Sequence, residues 1–172
     1  LQPLHLVEQA MIESLVDAGI RRIEITSFVN PRWIPALADH MEVATRLRRK
    51  EGARYTALVP NMRGLDRALA AGVDKIAVFT AVSETFNQRN IHTSLEGALK
   101  RFRPLIGSAR EMNLTVRGYL STAFWCAFEG KISPNTVSEV VQRLCDIGVD
   151  EVSISDTIGK ATPEEVIRLL DL

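Results

Sequence analysis

The sequence predicts an α/β chain built on a parallel sheet, and three observations carry that prediction. Short apolar runs of strand length alternate with longer stretches whose apolar residues recur at helical spacing. Three helical stretches close on one signal, a glycine and an apolar residue just ahead of a strand: Gly19-Ile20 before Ile23, Gly72-Val73 before Ile76, and Gly148-Val149 before Val152. Polar residues gather where the strand runs stop. Strand–helix alternation of this kind implies parallel strands joined by right-handed crossovers.

Taken in order, Leu6, Ala10, Met11, Leu15 and Ala18 sit on one helical stripe, closed by Gly19. Residues 22–29 form the strand on which the rest is organised. Ile23 and Ile25 alternate with Glu24 and Thr26, and Asn30-Pro31 stops the run. Residues 33–49 read as a helix with Ala36, Leu37, Ala38, Met41, Val43 and Leu47 available for burial. A second strand covers 55–59 and stops at Pro60-Asn61; a short helix covers 64–71; a third strand covers 75–82. Residues 83–92 read as a polar loop. A long helix follows over 94–112, with Thr93 as N-cap, Glu96 at N3 completing a capping box, and Pro104 as a kink. A fourth strand covers 115–121, and the loop 122–133 is long enough to carry function. Pro134 starts a helix behind Ser133 as cap, with Val137, Val140, Val141, Leu144 and Cys145 inward. A fifth strand covers 151–157. Thr162, Pro163 and Glu165 then open a last helix with a second capping box, in which the sequence stops.

Composition narrows the classes. The 172 residues are 46% hydrophobic and 24% charged with zero formal net charge, which suits one ordinary folded domain spanning 1–172. Neutral charge, with no basic run beyond Arg46-Leu47-Arg48-Arg49-Lys50 on a solvated helix face, argues against nucleic acid as a partner. No apolar stretch approaches the roughly 18–20 residues of a membrane span. Two cysteines, Cys126 and Cys145, make no disulfide framework and suit a reducing compartment. There is no glycine-rich phosphate loop, so ATP and NAD are not indicated. His5, His40 and His92 are too scattered for a metal pair.

Two architectures fit the alternation, a doubly wound sheet and a (β/α)8 TIM barrel. The barrel is favoured because polar groups stand at nearly every strand tip: Glu24 and Ser27, Asn61, Thr80 and Ser83, Arg117 and Tyr119, Asp156 and Thr157. A doubly wound sheet would concentrate them at one switch point. A whole barrel needs about 250 residues, so five strands are expected to be a piece of one, covering about strands 2–6.

Five motifs then resemble one family, in its order and nearly end to end. They are the run from Ile23 through Glu24, Ser27 and Asn30 to Pro35 with Ala38-Asp39-His40, then Val59-Pro60-Asn61-Met62-Arg63-Gly64, Arg117-Gly118-Tyr119, Glu129-Gly130-Lys131-Ile132-Ser133-Pro134, and Ser155-Asp156-Thr157-Ile158-Gly159. Together they resemble 3-hydroxy-3-methylglutaryl-CoA lyase, of the metal-dependent TIM-barrel lyases and acyl-CoA condensing enzymes. The resemblance implies divalent-metal-assisted cleavage of 3-hydroxy-3-methylglutaryl-CoA to acetoacetate and acetyl-CoA, in leucine degradation and ketone-body formation. It also implies an acyl-CoA substrate, a Mg2+ or Mn2+ cofactor in the complete protein, and a homodimer as the assembly to look for. The compartment would be cytoplasmic in a bacterium and the mitochondrial matrix in a eukaryote. The alternatives left open are a condensing acyltransferase of the citramalate or isopropylmalate synthase kind, and a non-catalytic truncated barrel. Leu1 and residues 30–35 favour the lyase.

The family's first-strand Arg-Asp-Gly-Leu-Gln motif is reduced to Leu1-Gln2, with residues expected to be missing around Gln2 and Pro3. Its His-x-His pair, metal-binding Asn and catalytic Cys have no counterpart up to Leu172, so no metal ligand is expected in this chain and the fragment alone should be inactive. What remains by resemblance is Glu24, Asp156 and Arg117 as catalytic residues, with Gln2, Ser27, Asn61, Tyr119 and Thr157 on the substrate. Arg117 and Tyr119 flank Gly118 and so share one face. An interior Arg needs a partner, and Glu24 or Asp156 would offset it. Asn61 has the alternative of an Asx turn, Asp156 and Thr157 of helix or strand-end capping, and Glu24 of a structural ion pair. Phe124 to Phe128 could cover a pantetheine arm or only pack on the rim. Lys131 is read as solvated, and Cys126 as no nucleophile.

Overall fold

A computed structural model describes residues 4–172. Gln2 lies outside the described residues. The elements are α1 (Leu4–Asp17), β1 (Arg22–Ser27), a 3-10 turn (Pro35–Leu37), α2 (His40–Arg46), β2 (Arg54–Leu58), α3 (Met62–Ala70), β3 (Lys75–Ala81), α4 (Glu84–Ile91), α5 (Leu95–Glu111), β4 (Thr115–Ser121), β5 (Trp125–Cys126), β6 (Gly130–Lys131), α6 (Pro134–Asp146), β7 (Glu151–Ile154) and α7 (Pro163–Leu170). The main sheet has the order β1-β2-β3-β4-β7. Its pairs β1–β2, β2–β3 and β4–β7 are parallel, as the alternation predicts. The chain divides into two compact units, Leu1–Ala77 with Asn113–Thr115, and Val78–Met112 with Val116–Leu172.

The repeated glycine signal is a repeated piece of geometry. Gly19, Gly72 and Gly148 have φ of 107°, 66° and 95°, the left-handed region that a Cβ disfavours. Each closes its helix with the same two bonds. Gly19 N–H donates to Val16 O and Ile20 N–H to Leu15 O; Gly72 to Leu69 O and Val73 to Ala68 O; Gly148 to Cys145 O and Val149 to Leu144 O. That is the Schellman pattern, which satisfies carbonyls the helix leaves open. The end of α5 uses Asn113 at φ 59° in the same place, a return with no glycine to announce it. Two returns carry a further clamp. Asp74 N–H donates to Tyr55 O while Asp74 Oδ2 accepts from Tyr55 N–H at 2.9 Å. Asp150 repeats this on Val116, at 2.7 Å.

In the first unit, Ile25 and Phe28 are buried with Val43, Ala44, Tyr55 and Ala57. The β1–β2 register slips between Glu24 and Thr26: Glu24 faces Thr56, then Thr26 faces Ala57. That bulge at Ile25 re-aims the residues after it, including Ser27. The predicted helix over 33–49 is replaced by the short 3-10 turn and α2. Ala36 and Ala38 are exposed rather than buried, because the chain does not hold one helical face across Pro35. The basic run also departs from expectation. It lies mostly beyond α2, and three of its four charges are paired: Arg48 and Lys50 on Asp17, Arg49 on Asp74 and over the Tyr55 ring.

In the second unit, α5 supplies much of the core, with Ala98, Leu99, Phe102, Leu105, Ile106 and Ala109 buried. Each such large apolar side chain contributes roughly 1.5–3 kcal/mol on removal from water. Gly118 allows close packing: a Cβ there would come within 3.2 Å of Val149 Cγ1 and 3.6 Å of Leu144 Cδ1. Several local expectations are corrected. Residues 84–91 are helix, not loop, because Ser83 caps them by accepting from Phe86 N–H at 3.0 Å. The cap of α5 is Ser94, one residue later than expected; its Oγ accepts from Gly97 N–H, and Glu96 pairs with Arg143 instead of closing a box. Ser133 makes no side-chain cap. Cys145 is exposed, since it falls one position past the buried stripe of Val137, Val140 and Leu144. The α7 helix ends at Leu170 with Asp171 as its C-cap.

The loop 122–133 is partly a two-stranded antiparallel ribbon, β5 on β6. Lys131 is not simply solvated: its Nζ lies 2.7 Å from Glu165 Oε1. Trp125 Nε1 donates to Glu165 Oε2 at 3.3 Å, and the capping box of Thr162 and Glu165 is present as predicted. The Lys131 hydrogen bond and the Thr162 backbone bond lower the Glu165 pKa from 4.5 to about 2. A carboxyl lowered in the folded state stabilises fully above its unfolded value and loses that contribution as pH falls through its folded one. Trp125 emission is therefore expected to change between pH 4.5 and about 2, and a Glu165→Gln variant to lack that transition. Identical acid titrations of the two proteins would remove Glu165 as the ribbon's anchor.

Candidate active site

The second unit holds a connected polar cluster at the carboxyl ends of β3, β4 and β7, the end at which parallel α/β proteins place their chemistry. Ser83, Ser121 and Thr122 are buried. Ser83 N–H donates to Thr122 Oγ1 at 3.1 Å, and Cys126 Sγ–H to Ser83 Oγ at 3.1 Å. Cys126 thus lies buried on β5 rather than in a loop, held by a hydroxyl. Glu129 accepts from Thr85 N–H at 2.7 Å. Partial burial opposes ionisation there, yet the Thr85 bonds hold the Glu129 carboxyl below its ordinary range.

Asp156 stands just past β7. Its Oδ2 accepts from Ala161 N–H at 2.8 Å, while its Oδ1 is buried and meets no donor among the described residues. The Oδ2 bond ties the loop 156–161 and is not a helix cap, since the N-cap of α7 is Thr162; Oδ1 is left over. Thr157 Oγ1 accepts from Thr122 N–H at 2.7 Å, so this hydroxyl does bind a strand end and keeps its own proton to donate. Arg117 and Tyr119 share a face as the alternation predicts, with the guanidinium 5.9 Å from the Tyr119 ring centroid. The expected partner of Arg117 is corrected. Its Nη2 donates to Glu151, directly opposite in the β4–β7 register. Sequence reading missed Glu151 because cross-strand register is invisible before pairing is known. The Glu151 bond raises the Arg117 pKa, and Arg117 Nε is left buried without an acceptor among the described residues.

In the first unit, Glu24 is exposed on β1, and Ser27 ends that strand with a buried Oγ that has no partner among the described residues. Asn61 follows β2 and makes the predicted turn, as N-cap of α3, with Oδ1 accepting from Gly64 N–H at 3.0 Å. It also lines a shallow cavity of about 140 Å3 with Phe28, Asn30, Arg63 and Arg67. Gly64 lets α3 approach here: a Cβ would meet Pro60 at 3.1 Å and Phe28 O at 3.4 Å. A larger cleft, about 280 Å3, is lined by Glu13, Asp17, Arg48 and Lys50, whose charges neutralise one another. That makes it a stabilising surface network rather than a site.

Orphaned buried polar atoms are costly, of the order of 1–3 kcal/mol each, and proteins keep them where a ligand completes them. Ser27 Oγ, Arg117 Nε and Asp156 Oδ1 are three, all among the residues singled out from sequence. Among the described residues, no three His, Cys, Asp or Glu side chains come together as a metal ion would require. No helix among the described residues is long and apolar enough to cross a membrane.

Parallel βα units with carboxylate, guanidinium and hydroxyl groups at strand ends define a parallel α/β scaffold of the kind that carries sites at its strand ends. Comparison with known proteins places it further. The HMGL-like family model matches residues 6–172, and the chain belongs to that family. A hydroxymethylglutaryl-CoA lyase of Pseudomonas mevalonii is 41% identical over 172 residues, 99% of this chain and 57% of that protein. A cytoplasmic 3-hydroxy-3-methylglutaryl-CoA lyase of Rattus norvegicus is 47% identical over 93% of this chain and 47% of its own length. The crystal structure of the HMG-CoA lyase from Brucella melitensis superposes with a TM-score of 0.95 at 44% identity, over 99% of this chain and 60% of that one. An Acinetobacter lyase solved with coenzyme A and 3-methylmalate gives 0.90 at 31% identity, over 95% of this chain and 53% of its own. The chain therefore forms part of a TIM barrel, and spans about half the length of the curated relatives it matches. The family is generally dependent on a divalent metal.

Proposed function

We propose that the complete protein carrying this chain cleaves 3-hydroxy-3-methylglutaryl-CoA to acetoacetate and acetyl-CoA. The observation that carries the reading is that Ser27, Arg117 and Asp156, matched to the family's motifs, each bury a polar atom with no partner among the described residues. The reaction removes the proton of the C3 hydroxyl and breaks the C2–C3 bond. Carbon 3 becomes the ketone of acetoacetate, and the electron pair passes to C2 as the thioester enolate, which then takes up a proton. Two oxygen charges must be steadied along the way.

This chain offers groups suited to parts of that sequence. The Asp156 carboxylate, fixed through Oδ2, presents Oδ1 as an acceptor for the C3 hydroxyl proton. Arg117 Nε is a donor suited to the substrate carboxylate or an enolate oxygen. Ser27 and Thr157 offer hydroxyl donors, Asn61 an amide, Tyr119 a packing face, and Glu24 a carboxylate that orients its neighbours. A divalent cation, Mg2+ or Mn2+, would supply Lewis-acid stabilisation of developing oxygen charge in the complete protein. The acyl-CoA substrate and a homodimeric assembly belong to the same proposal, as does a compartment that follows the source, bacterial cytoplasm or mitochondrial matrix.

The test is acetoacetate release by the complete polypeptide, with EDTA and with Mg2+ restored. Turnover that disappears on chelation and returns with Mg2+ is expected. An active protein that makes a longer acid from acetyl-CoA and a keto acid, and releases no acetoacetate, would overturn the assignment in favour of a condensing enzyme.

A further inference from the structure

We propose that Thr122 is the positioning residue for the Asp156 carboxylate, through a left-handed turn at the end of β4 that clasps both neighbours of Asp156. This rests on the reading of Asp156 as a catalytic group. Thr122 has φ 56° and no exposed surface. A β-branched side chain is among the least suited to that conformation, and such outliers persist only where the surroundings hold them. Glycine would fit the turn without strain.

The bonds that hold the turn are specific. Thr122 Oγ1 donates to Ser121 O at 2.7 Å and accepts from Ser83 N–H at 3.1 Å, which ties the turn to the end of β3. The turn in turn holds the segment around Asp156. Ser155 N–H donates to Leu120 O at 3.0 Å, Ala123 N–H to Ser155 O at 3.2 Å, and Thr122 N–H to Thr157 Oγ1 at 2.7 Å. Residues 120–123 thus grip 155 and 157 on either side of 156. The left-handed step at Thr122 is what directs its N–H to Thr157 just before the next N–H reaches Ser155. The segment on either side of Asp156 is fixed from outside and its Oδ2 from within, by Ala161 N–H, which leaves Oδ1 as the carboxylate oxygen with no partner among the described residues. The hydroxyl of Thr122 substitutes for the freedom of a glycine: it gives up backbone ease and gains the tie to Ser83.

The experiment compares Thr122→Val, Thr122→Ser and Asp156→Asn in the complete polypeptide, by steady-state kinetics on 3-hydroxy-3-methylglutaryl-CoA and by thermal melting. Valine keeps the shape and removes both Oγ1 bonds. It is expected to lower kcat roughly 10- to 100-fold, the scale on which misplaced reacting groups act, with KM within about twofold because substrate contacts persist. Serine keeps the hydroxyl and should restore most of kcat. Asp156→Asn should be nearly inactive. If valine and serine behave alike, or if valine lowers the melting temperature and leaves kcat unchanged, Thr122 is only structural and the proposal falls. If Asp156→Asn itself turns over normally, the reading of Asp156 has failed and the proposal fails with it. The two failures are told apart by the Asp156 variant alone.

Discussion

Replacing Asp156 by Asn in the complete polypeptide is expected to lower kcat by about 10²- to 10⁴-fold, the range of a lost general base, with almost no change in thermal stability. The geometry separates the two outcomes. The Asn carbonyl can take over from Oδ2 the bond from Ala161 N–H, so the turn at 156–161 survives. Its amide NH2 then replaces Oδ1, the oxygen that has no partner among the described residues, so no internal bond is lost. What disappears is the negative charge and its capacity to accept a proton. Acetoacetate release and a melting curve on the same preparation check both halves. Near-normal turnover would remove Asp156 from the chemistry, whereas a collapsed melting transition would make it a structural carboxylate.

The second large effect is on stability. Asn87 is fully buried on α4, and its side chain completes the end of β3: Oδ1 accepts from Ala81 N–H at 2.9 Å and from Thr80 Oγ1–H at 3.2 Å, while Nδ2 donates to Ala81 O at 2.8 Å. Asn87→Ala strands both backbone groups of Ala81 in the interior. At about 1–3 kcal/mol for each orphaned group, the loss should be about 2–6 kcal/mol. Asn87→Asp is the sharper comparison. It keeps the acceptor but turns a second oxygen toward Ala81 O, so it should be at least as damaging despite its near-identical shape. Urea unfolding reads the result as a fall in midpoint at unchanged slope. A shift of less than about 0.5 kcal/mol in both variants, the range of ordinary surface substitutions, would mean that Asn87 is not the keystone of this strand end.

Asn87 also marks where sequence reading stops. The run Glu84 to Ile91 has mixed polarity and no apolar stripe, so periodicity gave no reason to expect a helix. Its cap, Ser83, and its buried asparagine are justified only by β3 beside them. The strands were legible because apolar alternation and the glycine returns are local: β4 matches its expected span, and β1, β2 and β3 differ at their ends. The predicted helix over 33–49 failed for the opposite reason, since Pro35 and Asp39 interrupt a run whose composition looks helical. At the site, residue types were legible and partners were not. Asp156, Ser27 and Arg117 were singled out, but the pairing of Arg117 with Glu151 depends on register, and the strain at Thr122 on backbone dihedrals. The double clamp of Asp74 and Asp150 had a signal, the recurring Gly-Val-Asp after a helix, whose aspartate carries the meaning once the neighbouring strand is in place.

Those recurring returns bear on how the chain is made. Each joins a helix to the strand after it through bonds spanning four to six residues, and the Asp74 and Asp150 clamps reach back to the previous strand of the main sheet, nineteen and thirty-four residues away. Contacts this close in sequence form quickly and at small entropic cost. Successive strand–helix steps can therefore lock as they leave the ribosome, each serving as the template for the one still being synthesised. Substituting one of those aspartates should delay maturation from that point onward while the earlier steps assemble at their usual pace.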